Sequence, residues 1–246
     1  MTIYDSENRL FEELKRTYRT KEQNLLVQDG LCMKSLALSL NPADSNYWPE
    51  EKWIKSEKRV LFLLKEPNGN EGDDYRDWKW ADGKETFGNA LAYWLQGLME
   101  TNETRVMNYD DLSWRDEILS KYPLAFVNVK KIAGDSTANW DEIHAYAQRD
   151  SAIIRKQIRE ILEPNIIVCG GSNDCGDDSR KMLTIAKEII FPDLSFEKEN
   201  SWCHYNEKED ILLIDSYHPS DRKSWTTKVN DMLEAYHAFI SKRQKL

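Results

Sequence analysis

Nowhere does this chain of 246 residues run to the roughly 18 consecutive apolar residues that a membrane-spanning helix needs. Its start, Met1-Thr2-Ile3-Tyr4-Asp5-Ser6-Glu7-Asn8, lacks the basic and apolar parts of a signal peptide. Together these absences predict a cytoplasmic protein with no membrane partner. The four cysteines, Cys32, Cys169, Cys175 and Cys203, contain no Cys-x-x-Cys pair. A disulfide framework is not expected in a chain of this size without an export signal. Cys169, Cys175, Cys203 and His204 are poorly spaced for zinc, so buried free thiols are the expectation, and no metal. An excess of positive charge is missing too: the net charge is -9. That works against a generic grip on nucleic acid and leaves any phosphate contact to a local basic patch. No internal repeat or low-complexity segment is visible, which argues against a second autonomous domain.

What is present is core-forming material. Hydrophobic residues make up 40% of the chain, with 9 Trp and 11 Tyr, enough to bury a large interior. Four short apolar runs read as buried strands: residues 59–64, 124–129, 165–169 and 211–215. Helical spacing marks residues 86–98, with Leu91, Trp94, Leu95 and Leu98 on one face, and residues 140–161, stopped by Glu163-Pro164. Residues 179–190 and 225–242 read as helices as well, and 196–205 as supplying a short edge strand. Residues 6 to about 42 look helical, with Leu10, Phe11 and Leu14 in register, and Asn41-Pro42-Ala43-Asp44 opens a loop. Strands alternating with helices imply a three-layer α/β/α fold around a mostly parallel, four-stranded central sheet, spanning residues 59–246. Residues 1–58 are expected to form an N-terminal helical extension packed on that core.

The ends of the four runs carry chemistry. They read Lys65-Glu66-Pro67-Asn68, Asn128-Val129-Lys130-Lys131, Gly170-Gly171-Ser172 and Tyr217-His218-Pro219-Ser220. Open α/β sheets build their ligand crevices at the carboxyl ends of strands. A carboxylate, an amide, a glycine turn and a histidine placed there describe one pocket.

In this order the segments resemble the uracil-DNA glycosylase superfamily, over about residues 59–240. The stretch Leu64-Lys65-Glu66-Pro67-Asn68-Gly69 is similar to the family's Gly-Gln-Asp-Pro-Tyr or Gly-Glu-Ala-Pro-Gly loop. Thr86-Phe87-Gly88-Asn89 stands where the iron–sulfur branch has Pro-Phe-Val-Gly. Asn128-Val129-Lys130-Lys131 looks like that branch's Asn-Val-Val-Lys. Pro164 to Gly171 is similar to its Pro-x-x-Ile-Val-x-x-Gly, and His218-Pro219-Ser220 matches the closing His-Pro-Ser. The resemblance implies hydrolysis of the N-glycosidic bond of uracil or a related damaged base in DNA, with water and without metal or cofactor. The cluster cysteines of the iron–sulfur branch have no counterparts here, so no cluster is expected.

Breaking that bond leaves a cationic sugar and an anionic base, and the base must first leave the stack. By resemblance, Glu66 orients or deprotonates water or stabilises the sugar by its charge; the plainer alternative is a loop-end carboxylate paired with Lys65 or Lys130. Asn128 can pair with uracil at O4 and N3, or simply cap the next turn. Phe87 offers a stacking face, or is ordinary core. His218 would donate to O2 as the base becomes anionic. Ser220 could touch the flanking phosphate, and Lys65, Lys130, Lys131, Arg222, Lys223 and Lys228 make up a basic patch at the rim. Asn68 occupies the place of the family's thymine-excluding tyrosine, which leaves selectivity for uracil over thymine open. Asp221-Arg222 replaces the Pro-Leu wedge, so extrusion falls to Arg222 or the substrate is already single-stranded. The stretch 71–85, with six acidic and three basic residues, is an awkward neighbour for DNA and a candidate cover for the pocket. A non-catalytic module that binds a nucleobase, a nucleotide or single-stranded DNA is the alternative, and a hydrolase of small nucleosides is a third.

Overall fold

A computed structural model describes residues 1–32, 49–68, 72–77, 85–134, 138–171 and 181–243. Ser172, Cys175, the loop at 41–46 and most of 71–85 lie outside the described residues.

Among the described residues, seven strands form one sheet: β1 (Gly30–Leu31), β2 (Val60–Leu64), β3 (Ala125–Asn128), β4 (Ile166–Gly170), β5 (Glu197–Lys198), β6 (Cys203–Asn206) and β7 (Ile211–Ser216). Their order is β1-β3-β2-β4-β7-β6-β5. The four runs expected from the sequence are the middle of this sheet, mutually parallel, with Leu64 beside Asn128 and Cys169 beside Asp215. The expectation of a four-stranded, mostly parallel sheet is corrected at both edges. β1 joins β3 antiparallel on one side; β6 and β5 extend β7 antiparallel on the other. One edge strand was expected within 196–205, and two are there.

Helices α1 (Ile3–Thr17), α2 (Thr20–Gln23) and α3 (Pro49–Lys55) precede the parallel strands. α4 (Glu85–Glu100) and α5 (Arg115–Lys121) link β2 to β3. α6 (Trp140–Arg149) and α7 (Ser151–Arg155), prolonged by a wider π turn at Lys156–Leu162, lead to β4. α8 (Met182–Ile185), with its own π turn at Ala186–Ile190, follows β4, and α9 (Trp225–Arg243) ends the described chain. The single helix expected over 140–161 is therefore interrupted at Asp150, and Glu163, in the left-handed region at φ 48°, turns the chain before Pro164.

Strand side chains alternate between faces. Val60, Phe62 and Leu64 pack with α4, α5 and α9, whereas Leu61 and Leu63 pack with α6, α7 and α8. Residues apolar at every position can do this only as inner strands, covered on both faces. α1 adds a third packed group: Leu10, Phe11 and Leu14 meet Tyr18, Leu26, Ile132 and Ile153. The N-terminal part is not purely helical. After α2 it runs extended, and β1 is its contribution to the sheet. Among the described residues, no helix is long and apolar enough to cross a membrane.

Topology then locates a crevice. The chain leaves β2 for α4 on one face and leaves β4 for α8 on the other, although the two strands are neighbours. Diverging connections from adjacent parallel strands open a cleft at their carboxyl ends.

Candidate functional site

At that switch point three groups converge. Gly171, just past β4, adopts φ 112°, a conformation that favours glycine. A Cβ placed there would lie 3.3 Å from Lys65 Cε and 3.6 Å from both Lys65 Nζ and His218 Cδ2. So the ammonium that follows β2 and the imidazole that follows β7 both border a floor without a side chain. Lys65 Nζ also lies 5.4 Å from the ring centroid of Trp140, the first residue of α6.

The loop holding His218 is fixed at several points. Ser220 N–H donates to His218 Nδ1 at 3.2 Å, and Asp221 N–H to the His218 carbonyl at 2.9 Å. From beneath, the buried Lys228 ammonium donates to the carbonyls of Pro219 at 3.2 Å and Asp221 at 3.0 Å. Tyr217 is tied to Asp231 by its hydroxyl at 2.9 Å. Burial, then the charges of Lys65 and Lys228, push the His218 imidazole down to about 3. The ring is therefore neutral at physiological pH. Because Nδ1 accepts the Ser220 N–H, the single ring proton sits on Nε2. Cδ2, the atom turned to Gly171, is bonded to that nitrogen, so the side of the ring that faces the crevice is its donor side.

Glu66 points elsewhere. Its carboxylate receives the Lys130 ammonium at 2.8 Å, with these side chains only 8% and 5% exposed, and Lys130 also donates to Glu142 at 2.9 Å. Burial pushes the Lys130 ammonium down, and its hydrogen bonds to Glu66 and Glu142 outweigh that, so it is held above its ordinary value. A Cβ at Gly134 would lie 2.1 Å from Glu66 Cδ, so the absent side chain is what leaves room for the carboxylate. Of the two readings for Glu66, the paired carboxylate is the geometry found.

Asn128 ends β3 and is almost wholly buried. Its backbone N–H and its Nδ2 both donate to Asp29 Oδ2, at 2.8 and 3.1 Å. Phe87, in the first turn of α4, is half-buried against the core, with its ring edge-on to Phe126 at 6.1 Å. Alternation puts Asn128 on the same face of β3 as Phe126, and hence on the Phe87 side of the sheet. Asn68 is exposed and pairs with Gly134 in an isolated bridge.

The expected basic patch is thinner than the sequence suggested. Lys130, Lys131 and Lys228 are buried and bound within the protein, so Lys130 is not placed to meet a phosphate. Arg222, Lys223 and Ser220 remain exposed beside the His218 loop. Of the acidic stretch, residues 72–77 are described, and Tyr75 packs against Phe126 with ring centroids 6.1 Å apart, on the same face as Phe87. Gln28 N–H donates to the Asp73 carbonyl at 2.9 Å and the Gln28 carbonyl accepts Tyr75 N–H at 2.8 Å, which docks residues 73–75 on the N-terminal segment, and Arg76 is buried between Asp74, Asn8 and Gln28.

Lys65 and Asp29 are what sequence reasoning undervalued. Lys65 was one cation among six, and only the switch-point topology sets it apart. Asp29 carried no signal. Neither the family models nor the curated proteins searched match this chain.

Proposed function

We propose that this protein is a DNA base-excision glycosylase that hydrolyses the N-glycosidic bond of uracil or a related damaged base. The observation that carries the reading is the neutral His218, its Nε2 proton on the crevice side and the Lys65 ammonium beside it. As the bond between C1′ and the base nitrogen breaks, its electron pair goes to the base and charge gathers on O2. A fixed Nε2–H donor and a nearby cation stabilise that charge in a site that need not reorganise. Water then adds its oxygen to C1′, and its proton balances the departing base. Asn128 would read the base edge, Phe87 would support its face, and Ser220 and Arg222 would meet the flanking phosphate. An acidic protein with few exposed rim cations is better suited to single-stranded or already distorted DNA than to firm duplex binding.

One observation favours a second reading. Glu66, the residue expected to activate water, is engaged by Lys130. A protein that binds a nucleobase or single-stranded DNA without cleaving it needs no such residue.

The test is incubation with labelled single-stranded and duplex oligonucleotides bearing one uracil, followed by alkaline cleavage of abasic sites. Strand breaks that fall by about a hundredfold in His218→Ala, the usual cost of an oxyanion donor, support the glycosylase. Intact strands with every preparation would overturn it for uracil; retained binding would then favour the second reading.

A further inference from the structure

Asp29 lies in the extended segment just ahead of β1, is wholly buried, and is met from three sides. Its Oδ2 accepts both donors of Asn128, its Oδ1 accepts the Lys131 ammonium, and its backbone carbonyl accepts Gln157 Nε2 at 2.8 Å. Lys131 is held in turn by Gln157 Oε1 at 2.9 Å. The carboxylate is therefore fixed before Asn128 reaches it.

A primary amide can turn over about its Cβ–Cγ bond and exchange its donor for its acceptor with little change of shape. Here it cannot. The turned amide would set Oδ1 against Oδ2 of Asp29 at about 3 Å, two acceptors with no proton between them. The imide edge of uracil (O4 acceptor, N3–H donor) and the edge of cytosine (N4–H donor, N3 acceptor) demand opposite settings of such an amide.

We propose that Asp29 is a positioning residue that locks the Asn128 amide in one setting and so gives the site its preference between imide-type and cytosine-type bases. The inference rests on the reading of Asn128 as the base-reading group, and it holds for a cleaving or a merely binding protein alike. It also assigns a task to the N-terminal segment, which reaches across the sheet edge to set a side chain at a strand end.

The test uses the whole protein, labelled with nitrogen-15, titrated with free uracil and free cytosine. The readout is the side-chain amide signal of Asn128, identified by its loss in Asn128→Ala. The expected result is a uracil response on the order of tenfold tighter than the cytosine response, as one bidentate contact provides. In Asp29→Asn that ratio falls to near one. Because this variant strands Lys131, Asp29→Asn combined with Lys131→Gln is run beside it, and the backbone spectrum reports folding in each. A wild-type amide signal that ignores both bases, or answers both equally, overturns the inference. So does a preference that survives in a folded variant at Asp29. Strand cleavage plays no part in the readout, so failure of the glycosylase reading is seen separately.

Discussion

Glu66 and Lys130 meet at 2.8 Å with both side chains more than nine-tenths buried, directly beneath the backbone of Gly134. Removing one member of a buried pair strands the other, typically at about 3–5 kcal/mol. Lys130 keeps Glu142 as a second partner, so Glu66→Gln should cost less, roughly 2 kcal/mol. Glu142 is 45% exposed, and Glu142→Gln should cost under about 1 kcal/mol. Urea unfolding of the two variants checks the ranking; equal costs would mean that the pair is not the structural element described.

Gly134→Ala attacks the same relationship from above, since its Cβ must displace the carboxylate. The expected loss matches that of Glu66→Gln, and combining the two changes should be clearly less than additive. A double-mutant cycle in urea reads this directly.

His218 supplies a pH signature. Its folded-state value, about 3, lies below the ordinary 6.5, so the unfolded chain binds the proton more readily. Stability from this group is complete above pH 6.5 and declines as pH falls toward 3. His218→Gln should flatten that acid limb by up to a few kcal/mol in unfolding measurements between pH 3 and 7.

Glu7 gives the opposite slope. Burial raises its carboxyl from 4.5 to about 8, against the pull of Arg76 and Gln157. The folded state therefore binds the proton more strongly. The contribution is complete below pH 4.5 and is lost as pH rises toward 8. Glu7→Gln should remove that decline, and melting temperatures taken across pH 5–8 should converge in the variant.

Gly171→Ala tests the crevice floor. The substitution forces a side chain onto φ 112° and sets a methyl group between Lys65 and His218. A stability loss of about 1–2 kcal/mol should accompany loss of whatever the crevice binds, measured as binding of a uracil-containing oligonucleotide.

The inner strands were legible because each is apolar on both faces and ends in polar or turn-forming residues, as in Phe62-Leu63-Leu64 before Lys65. β1 was not legible. Gly30 and Leu31 are too few to show a period, and the leucines around them imitate a helix. The interior ionisable groups were hidden for another reason. Glu7, Asp29, Arg76 and Lys131 look like solvent-facing residues in a sequence, and only tertiary pairing allows their burial. Thus the positions of Asn128 and His218 at strand ends could be read, whereas the partner that orients Asn128 could not.

The two-residue strand β1 has one more consequence. Stripped of residues 1–58, the protein would present β3 as an open edge, with unpaired amides available to another copy. Lys131 would lose its counter-ion in the same stroke. Such a shortened protein would be expected to self-associate rather than survive as a smaller functional unit, which makes the opening segment the guard of the sheet's flank.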